Sequence, residues 1–262
     1  MFSKRCYARR CFSWIRTNFP DIGRRAAHVD IFSDNRQYFA FTLAEVLVTI
    51  GIIGIVAAIT LTPLINTYKK KTTAAKLQQA YNFLQRTFVM AQNEYGDMRN
   101  WECSAAHSCS AEEFAQKYII PYFQNPHIKT YSSLVAAGYK DYPKDFNGAT
   151  SMTGWRYYIK TNQGYYYMVS FYDVGDERRV YGVAIDINGV NPPNIIGKDI
   201  FNISYGYNLS RKNHYKLQMY NYFNRNKEQL LQNGCNKNNT GTYCGALIEM
   251  DGWEIKDDYP WY

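Results

Sequence analysis

From Val46 to Leu61 the chain carries no charged residue, and with its flanks, Ala40 to Pro63, the apolar run reaches the ~20 residues that a bilayer-spanning helix needs. Beyond Pro63 the pattern changes rather than stops. Leu64, Ile65, Tyr68, Ala74, Leu77, Ala80, Tyr81, Leu84, Phe88 and Met90 recur at steps of three and four, with Lys, Gln and Arg between them. That spacing predicts an amphipathic helix continuing the apolar one. A single helix from about Phe41 to Tyr95 follows, ~80 Å long if straight, with Gly96 and Asp97 ending it. Trp101 to Ser110 reads as a cysteine-bounded loop, and Ser110-Ala111-Glu112-Glu113 as a capping box opening a short helix to about Ile119, stopped by Pro121.

After Pro121 the chain turns rich in Tyr, Asn and Gly. Candidate strands are Gly154 to Lys160, Gly164 to Asp173 and Arg178 to Asp186, with Asn162-Gln163-Gly164 and Gly175-Asp176-Glu177 as turns. Such short connections predict antiparallel neighbours. Tyr165 to Val169 and Val180 to Ile185 form the expected central pair, packed on the apolar stripe of the long helix. The stretch Asn208 to Asn239 is polar and Asn-rich and carries no clear period, whereas Cys244 to Trp253 contains a short apolar turn able to dock on the core. The fold class expected is α+β: a long N-terminal helix, transmembrane in its first half, bearing a small antiparallel sheet. No internal repeat or low-complexity linker is seen.

Glu45 is the odd residue of the apolar helix. A carboxylate at the bilayer centre costs roughly 2.5 to 3.5 kcal/mol, and less near an end, so a plain anchor would not need it. A snorkelling or protonated glutamate at the interface is the bland reading. Gly51, Gly54, Ala57 and Ala58 supply small side chains at three- and four-residue spacing, which permits close helix approach and is also ordinary membrane-helix composition.

Phe41-Thr42-Leu43-x-Glu45, preceded by the small Ala40 and followed by the apolar helix, resembles the cleavage and methylation signature of type IV prepilins and type II secretion pseudopilins. The resemblance covers roughly residues 40 to 95. It implies that a membrane peptidase, prepilin peptidase, cuts between Ala40 and Phe41 and methylates the new amino group of Phe41. It further implies that Glu45 neutralises the amino group of Phe41 on a neighbouring subunit as helices bundle into a filament. Two departures stand out: Ala40 replaces the more usual Gly, and Pro63 comes one residue later than the family's common helix-bending proline. The expected order is a leader (1–40), a stalk helix (41–95, transmembrane about 41–64) and an extracytoplasmic pilin-like head (96–262). The partners implied are prepilin peptidase, other pilin or pseudopilin subunits and the bacterial inner membrane, crossed once before assembly into a pilus or pseudopilus. An uncleaved signal anchor with a cytoplasmic tail is the competing expectation.

Charge changes this picture only in part. The chain of 262 residues carries a net +8. Residues 1–40 hold Lys4, Arg5, Arg9, Arg10, Arg16, Arg24, Arg25 and Arg36 against Asp21, Asp30 and Asp34, a net +5; the remainder, 22 basic against 19 acidic, keeps +3. That is too mild to argue for nucleic acid. Basic residues near the ends of a membrane segment bias its orientation. Arg24, Arg25 and Arg36 precede the segment, but Lys69, Lys70, Lys71 and Lys76 follow it. Charge alone therefore leaves the topology ambiguous or reversed, and the resemblance and the cysteines place the C-terminal part outside.

Cys6 and Cys11 fall in the leader, leaving Cys103, Cys109, Cys235 and Cys244. Four cysteines allow three connectivities; the local pairs Cys103 with Cys109 and Cys235 with Cys244 each close a short polar loop. Zinc is the alternative, yet neither pair has the spacing of a usual zinc hook and no His sits at finger spacing. Disulfides fit an exported domain.

Asp186, Asn188 and Asp199 are candidate ligands for Ca²⁺, a hard cation that takes 6 to 8 oxygens; some pseudopilins carry a calcium loop similar in type and place. The alternative is that Asn188-Gly189 is a tight turn and Pro192-Pro193 a rigid corner. Enzyme chemistry finds no support: His107, His127 and His214 are isolated, and no catalytic motif is present. Tyr157, Tyr158, Tyr205, Tyr207, Tyr220 and Tyr222 could form a stacking face for a glycan or DNA on a minor, tip-located subunit, or simply pack the sheet.

Overall fold

The structure is a computed structural model that describes residues 41–102, 109–136, 138–139, 142–152, 157–173, 179–208, 213–220 and 225–261. The expectations made for the leader, Ala40, Cys103 and His107 lie outside these residues. The chain divides into two units, Met1–Ile52 and Ile53–Tyr262.

In the first unit the described residues lead into helix α1 (Leu43–Tyr95), whose residues up to Ile52 belong to it. Its large apolar side chains, from Leu43 to Ile52, are exposed.

In the second unit α1 runs on through Pro63, which lies inside the helix. Threonines within and just after the apolar run bond their hydroxyls to carbonyls one turn back. Thr60 donates to Val56 O at 2.9 Å, Thr62 to Ala58 O at 3.2 Å and Thr67 to Pro63 O at 2.9 Å. Each polar group is thus satisfied within the helix, as hydrocarbon surroundings require. Further on, Ala74, Leu77, Ala80, Tyr81, Leu84 and Phe88 of the expected stripe are buried, joined by Thr87 and Ala91, whereas Met90 is exposed because Ala91 takes the core-facing position.

Against this stripe lies a six-stranded antiparallel meander in the order β1 to β6: His127–Thr130, Tyr157–Lys160, Tyr166–Asp173, Arg179–Asp186, Ile200–Asn208 and Asn213–Met219. The expected central pair is β3 and β4, with Val169 opposite Val183 and Tyr167 opposite Ile185. β1, β5 and β6 add to the expected strands, and β3 begins two residues later than the sequence suggests; the expected start of β2 at Gly154 and the turn Gly175-Asp176-Glu177 lie outside the described residues. Strand side chains alternate between two apolar layers. Ile159, Tyr167, Val169, Val183, Ile185, Phe201, Ile203, Leu217 and Met219 join α1 in the main core. Tyr158, Tyr166, Met168, Ala184 and Ile200 face the other way and are covered by Leu134 of α3 (Tyr131–Ala136), Tyr139, Met152 and Ile196. Both faces are buried, which is why Tyr165 to Val169 reads as a continuous apolar run rather than an alternating one.

Tyrosine hydroxyls tie sheet to helix. Tyr167 donates to Ala80 O at 2.9 Å, and Tyr81 of α1 donates to Leu217 O at 3.0 Å. Helix α2 (Ala111–Tyr118) is opened by the expected capping box, with Glu113 N donating to Ser110 Oγ at 3.1 Å and Ser110 N to Glu113 Oε2 at 2.7 Å. Pro121 follows in a 3-10 turn, Ile120–Tyr122. The Asn-rich stretch supplies β6 and α4 (Lys227–Asn233), the latter capped by Asn226. The last apolar turn is α5 (Cys244–Met250), whose Cys244, Ala246, Leu247 and Ile248 are wholly inside the main core. A disulfide joins Cys235 to Cys244 across a separation of 9 residues, a loop whose closure contributes about 2.5 kcal/mol on the chain-entropy account. Cys109 is also a disulfide cysteine.

Candidate processing and assembly site

The start of α1 is built by local rules. Thr42 is the residue before the helix and Glu45 lies in its first turn. Glu45 N donates to Thr42 Oγ1 at 3.2 Å, while Thr42 N and Thr42 Oγ1 donate to Glu45 Oε2 at 2.8 and 2.9 Å. This is a reciprocal capping box. It changes the reading of Glu45 as a residue that an anchor would not need: the carboxylate satisfies an otherwise orphaned backbone N–H and sits at the positive end of the helix dipole. Thr42-x-x-Glu45 is the same signature recognised at Ser110, and it was legible in the sequence. The box uses only Oε2 and adds no positive charge, so the formal charge of Glu45 still lacks a cation among the described residues. Phe41, immediately before, is 84% exposed.

Past this cap, the apolar window of α1 is long enough to cross a membrane and none of it is buried within the chain. Gly51 and Gly54 meet no other atom where a side chain would start. Among the described residues, the surface that the motif needs for lipid or for neighbouring helices is thus left open.

The second candidate site is the loop between β4 and β5. Asp186 and Asp199 are 1% and 4% exposed. Asp186 Oδ1 accepts Asn188 N at 3.0 Å and Gly189 N at 2.7 Å; Asp199 accepts Asn194 N at 2.8 Å and Ile195 N at 2.7 Å. Gly189, at φ +65°, is required here, because a Cβ would fall 2.5 Å from the Tyr166 ring. Burial, and then the charge of Asp199, hold the Asp186 carboxyl well above its usual range. Burial likewise lifts Asp199, to about 6, against the pull of its backbone N–H partners. The loop brings Asp186, Asn188 and Asp199 together as a hydrogen-bonded turn. Asn188 Oδ1 remains buried there with no hydrogen-bond partner. No cluster of three or more His, Cys, Asp or Glu suited to a metal occurs among the described residues.

The tyrosine face fares differently. Tyr157 and Tyr158 are core residues, so they offer no ligand surface; of the tyrosines singled out, Tyr220 at 38% exposure is open to solvent. Tyr222 lies outside the described residues. His127 lies on edge strand β1 and His214 on β6.

The motif, the cap and the uncovered apolar helix define a precursor of the type IV pilin and pseudopilin class, and residues 35–61 match the family model described as "Prokaryotic N-terminal methylation motif". That motif implies processing by prepilin peptidase and assembly with other pilin subunits. Residues 63–262 match the model described as "Family of unknown function (DUF6613)", and the chain belongs to that family. No curated protein and no solved structure matches the chain.

Proposed function

We propose that this protein is a structural subunit of a type II secretion pseudopilus or a type IV pilus-like filament. It is cut between Ala40 and Phe41, methylated on Phe41, held in the inner membrane by α1 with its sheet domain outside the cytoplasm, and transferred into a helical filament. There the apolar helix exchanges lipid for neighbouring helices. One observation carries the reading: a methylation motif heads a helix whose apolar window is entirely uncovered by its own chain. The disulfide between Cys235 and Cys244 supports an oxidising compartment for the sheet domain. Intact mass and N-terminal sequencing of protein extracted from its native membrane test it. The expected product starts at N-methylated Phe41; an intact Met1 would instead make the chain a signal anchor.

We also propose Ca²⁺ as a ligand of the β4–β5 loop, on the strength of the buried, unpartnered Asn188 Oδ1 beside two buried carboxylates. Millimolar Ca²⁺ is expected to raise the melting temperature of chelator-treated protein, at ~100-fold excess over Kd by the equivalent of about 2.7 kcal/mol. An Asp186→Asn variant should lose most of that response while keeping the turn, since its amide oxygen still accepts the Asn188 and Gly189 N–H groups. An unchanged melting temperature in the parent protein would reduce the loop to a turn.

A further inference from the structure

The four lysines that follow the apolar segment oppose the orientation proposed above, since basic residues normally stay on the cytoplasmic side. The structure treats them unequally. Lys70 faces the sheet domain and is paired with Asp257 at 3.0 Å. Lys69, Lys71 and Lys76 are exposed and have no carboxylate partner among the described residues. The helical spacing of about 100° per residue sets Lys69 and Lys76 on one flank of α1 and Lys71 on another. They therefore occupy two opposite flanks of the helix rather than a single stripe.

Their height along the helix is as informative as their number. Leu64, Ile65 and Tyr68 are the last large apolar side chains left uncovered before the buried stripe begins at Ala74. Lys69 lies four residues beyond Ile65, about 6 Å at 1.5 Å per residue. The polar layer on each side of a bilayer is roughly 5 to 7 Å deep. Tyr68 then falls at the interface, where tyrosine is favoured, and Lys69 and Lys71 fall among the headgroups. Side chains of a helix lean toward its N-terminus, which here is toward the bilayer. Lys76, about 16 Å beyond Ile65, lies outside the polar layer, but its leaning, flexible stem keeps its charge within a Debye length of the headgroups.

We infer that Lys69, Lys71 and Lys76 form a collar that binds anionic phospholipid headgroups of the leaflet on the sheet-domain side, seating α1 at a fixed depth before assembly. The inference rests on the proposed membrane span. Charge complementarity favours lipid as the occupant: the cations occur where the apolar helix leaves the hydrocarbon, whereas the one lysine turned to the protein already has its own aspartate.

The test reconstitutes the full-length protein into vesicles of phosphatidylcholine, either alone or with about a quarter phosphatidylglycerol, a mixture whose surface potential attracts basic segments. Flotation reads insertion, and mass spectrometry counts the lipids retained after extraction into detergent. Wild-type protein is expected to float with both vesicles and to retain phosphatidylglycerol in excess of its share. The excess should fall about fivefold for each lysine removed, be absent in the Lys69→Gln/Lys71→Gln/Lys76→Gln variant, and weaken at high salt. Wild-type protein that floats but shows no excess overturns the collar alone, whereas failure to float with neutral vesicles overturns the membrane span. A triple variant that keeps the lipid preference would overturn the inference.

Discussion

Glu45→Gln is expected to leave cleavage before Phe41 intact while lowering incorporation into filaments by more than about tenfold. The choice of glutamine separates two roles that Glu45 combines. Gln at the third helical position still completes a capping box, so the bonds between Thr42 and residue 45 survive and the helix start is preserved. What disappears is the negative charge. If that charge neutralises the amino group of Phe41 on a neighbouring subunit, its loss leaves an unpaired cation among packed apolar helices, a defect worth several kcal/mol against the 1.4 kcal/mol that makes a factor of ten. Glu45→Ala removes both roles and is expected to assemble no better than Glu45→Gln, with some fraying of the first turn in addition. Quantifying sheared filaments against total processed subunit measures the effect. Wild-type filament yield from Glu45→Gln, with loss only in Glu45→Ala, would make the cap the sole role of this residue.

The capping box at Thr42 has the same residue spacing as its twin at Ser110. It lies inside the Phe41 to Glu45 motif, so one glutamate carries both the cap and the charge on which assembly is proposed to depend. Elsewhere legibility followed periodicity. The stripe from Ala74 to Phe88 and the pairing of β3 with β4 have strong patterns, and both lie where the sequence puts them. β5 also alternates, with Phe201 and Ile203 turned to the core. Its start, however, is tied to the preceding loop through Asp199, and Gly206 and Asn208 weaken its strand propensity. Of the described side chains of β6, Leu217 and Met219 are turned to the core. Its place depends on pairing with β5, a tertiary fact that no local period expresses. The second apolar layer was illegible for a related reason: it is assembled from Leu134, Tyr139, Met152 and Ile196, scattered over some sixty positions.

Gly241→Ala is expected to destabilise the sheet domain by about 4 kcal/mol or more, more than loss of the nearby disulfide. Three segments converge at this residue. A Cβ on Gly241 would fall 2.2 Å from Ile196 O and 2.7 Å from the Phe146 ring, and one on the facing Gly197 would fall 2.9 Å from Gly241 O and 3.0 Å from Cys244 Sγ. Tyr259 closes the same region by donating its hydroxyl to Gly197 O. The chain after β6 is thus clasped to the β4–β5 loop by backbone-to-backbone approach, with the bridge between Cys235 and Cys244 beside it. Because the obstacle is a carbonyl oxygen, no rotamer change relieves it, and the two backbones must separate. Gly252→Ala is the control. Gly252 has nearly the same backbone angle, φ +77° against +78° at Gly241, yet nothing lies within 4 Å of its Cβ position. It should show only the left-handed strain, about 1 to 2 kcal/mol. Urea unfolding of the two variants, followed by tryptophan fluorescence, separates clash from strain. Equal losses in both would mean that the close approach contributes nothing. A much larger loss at Gly241 would make the clasp the point at which the last segment, α5 included, is held in the core.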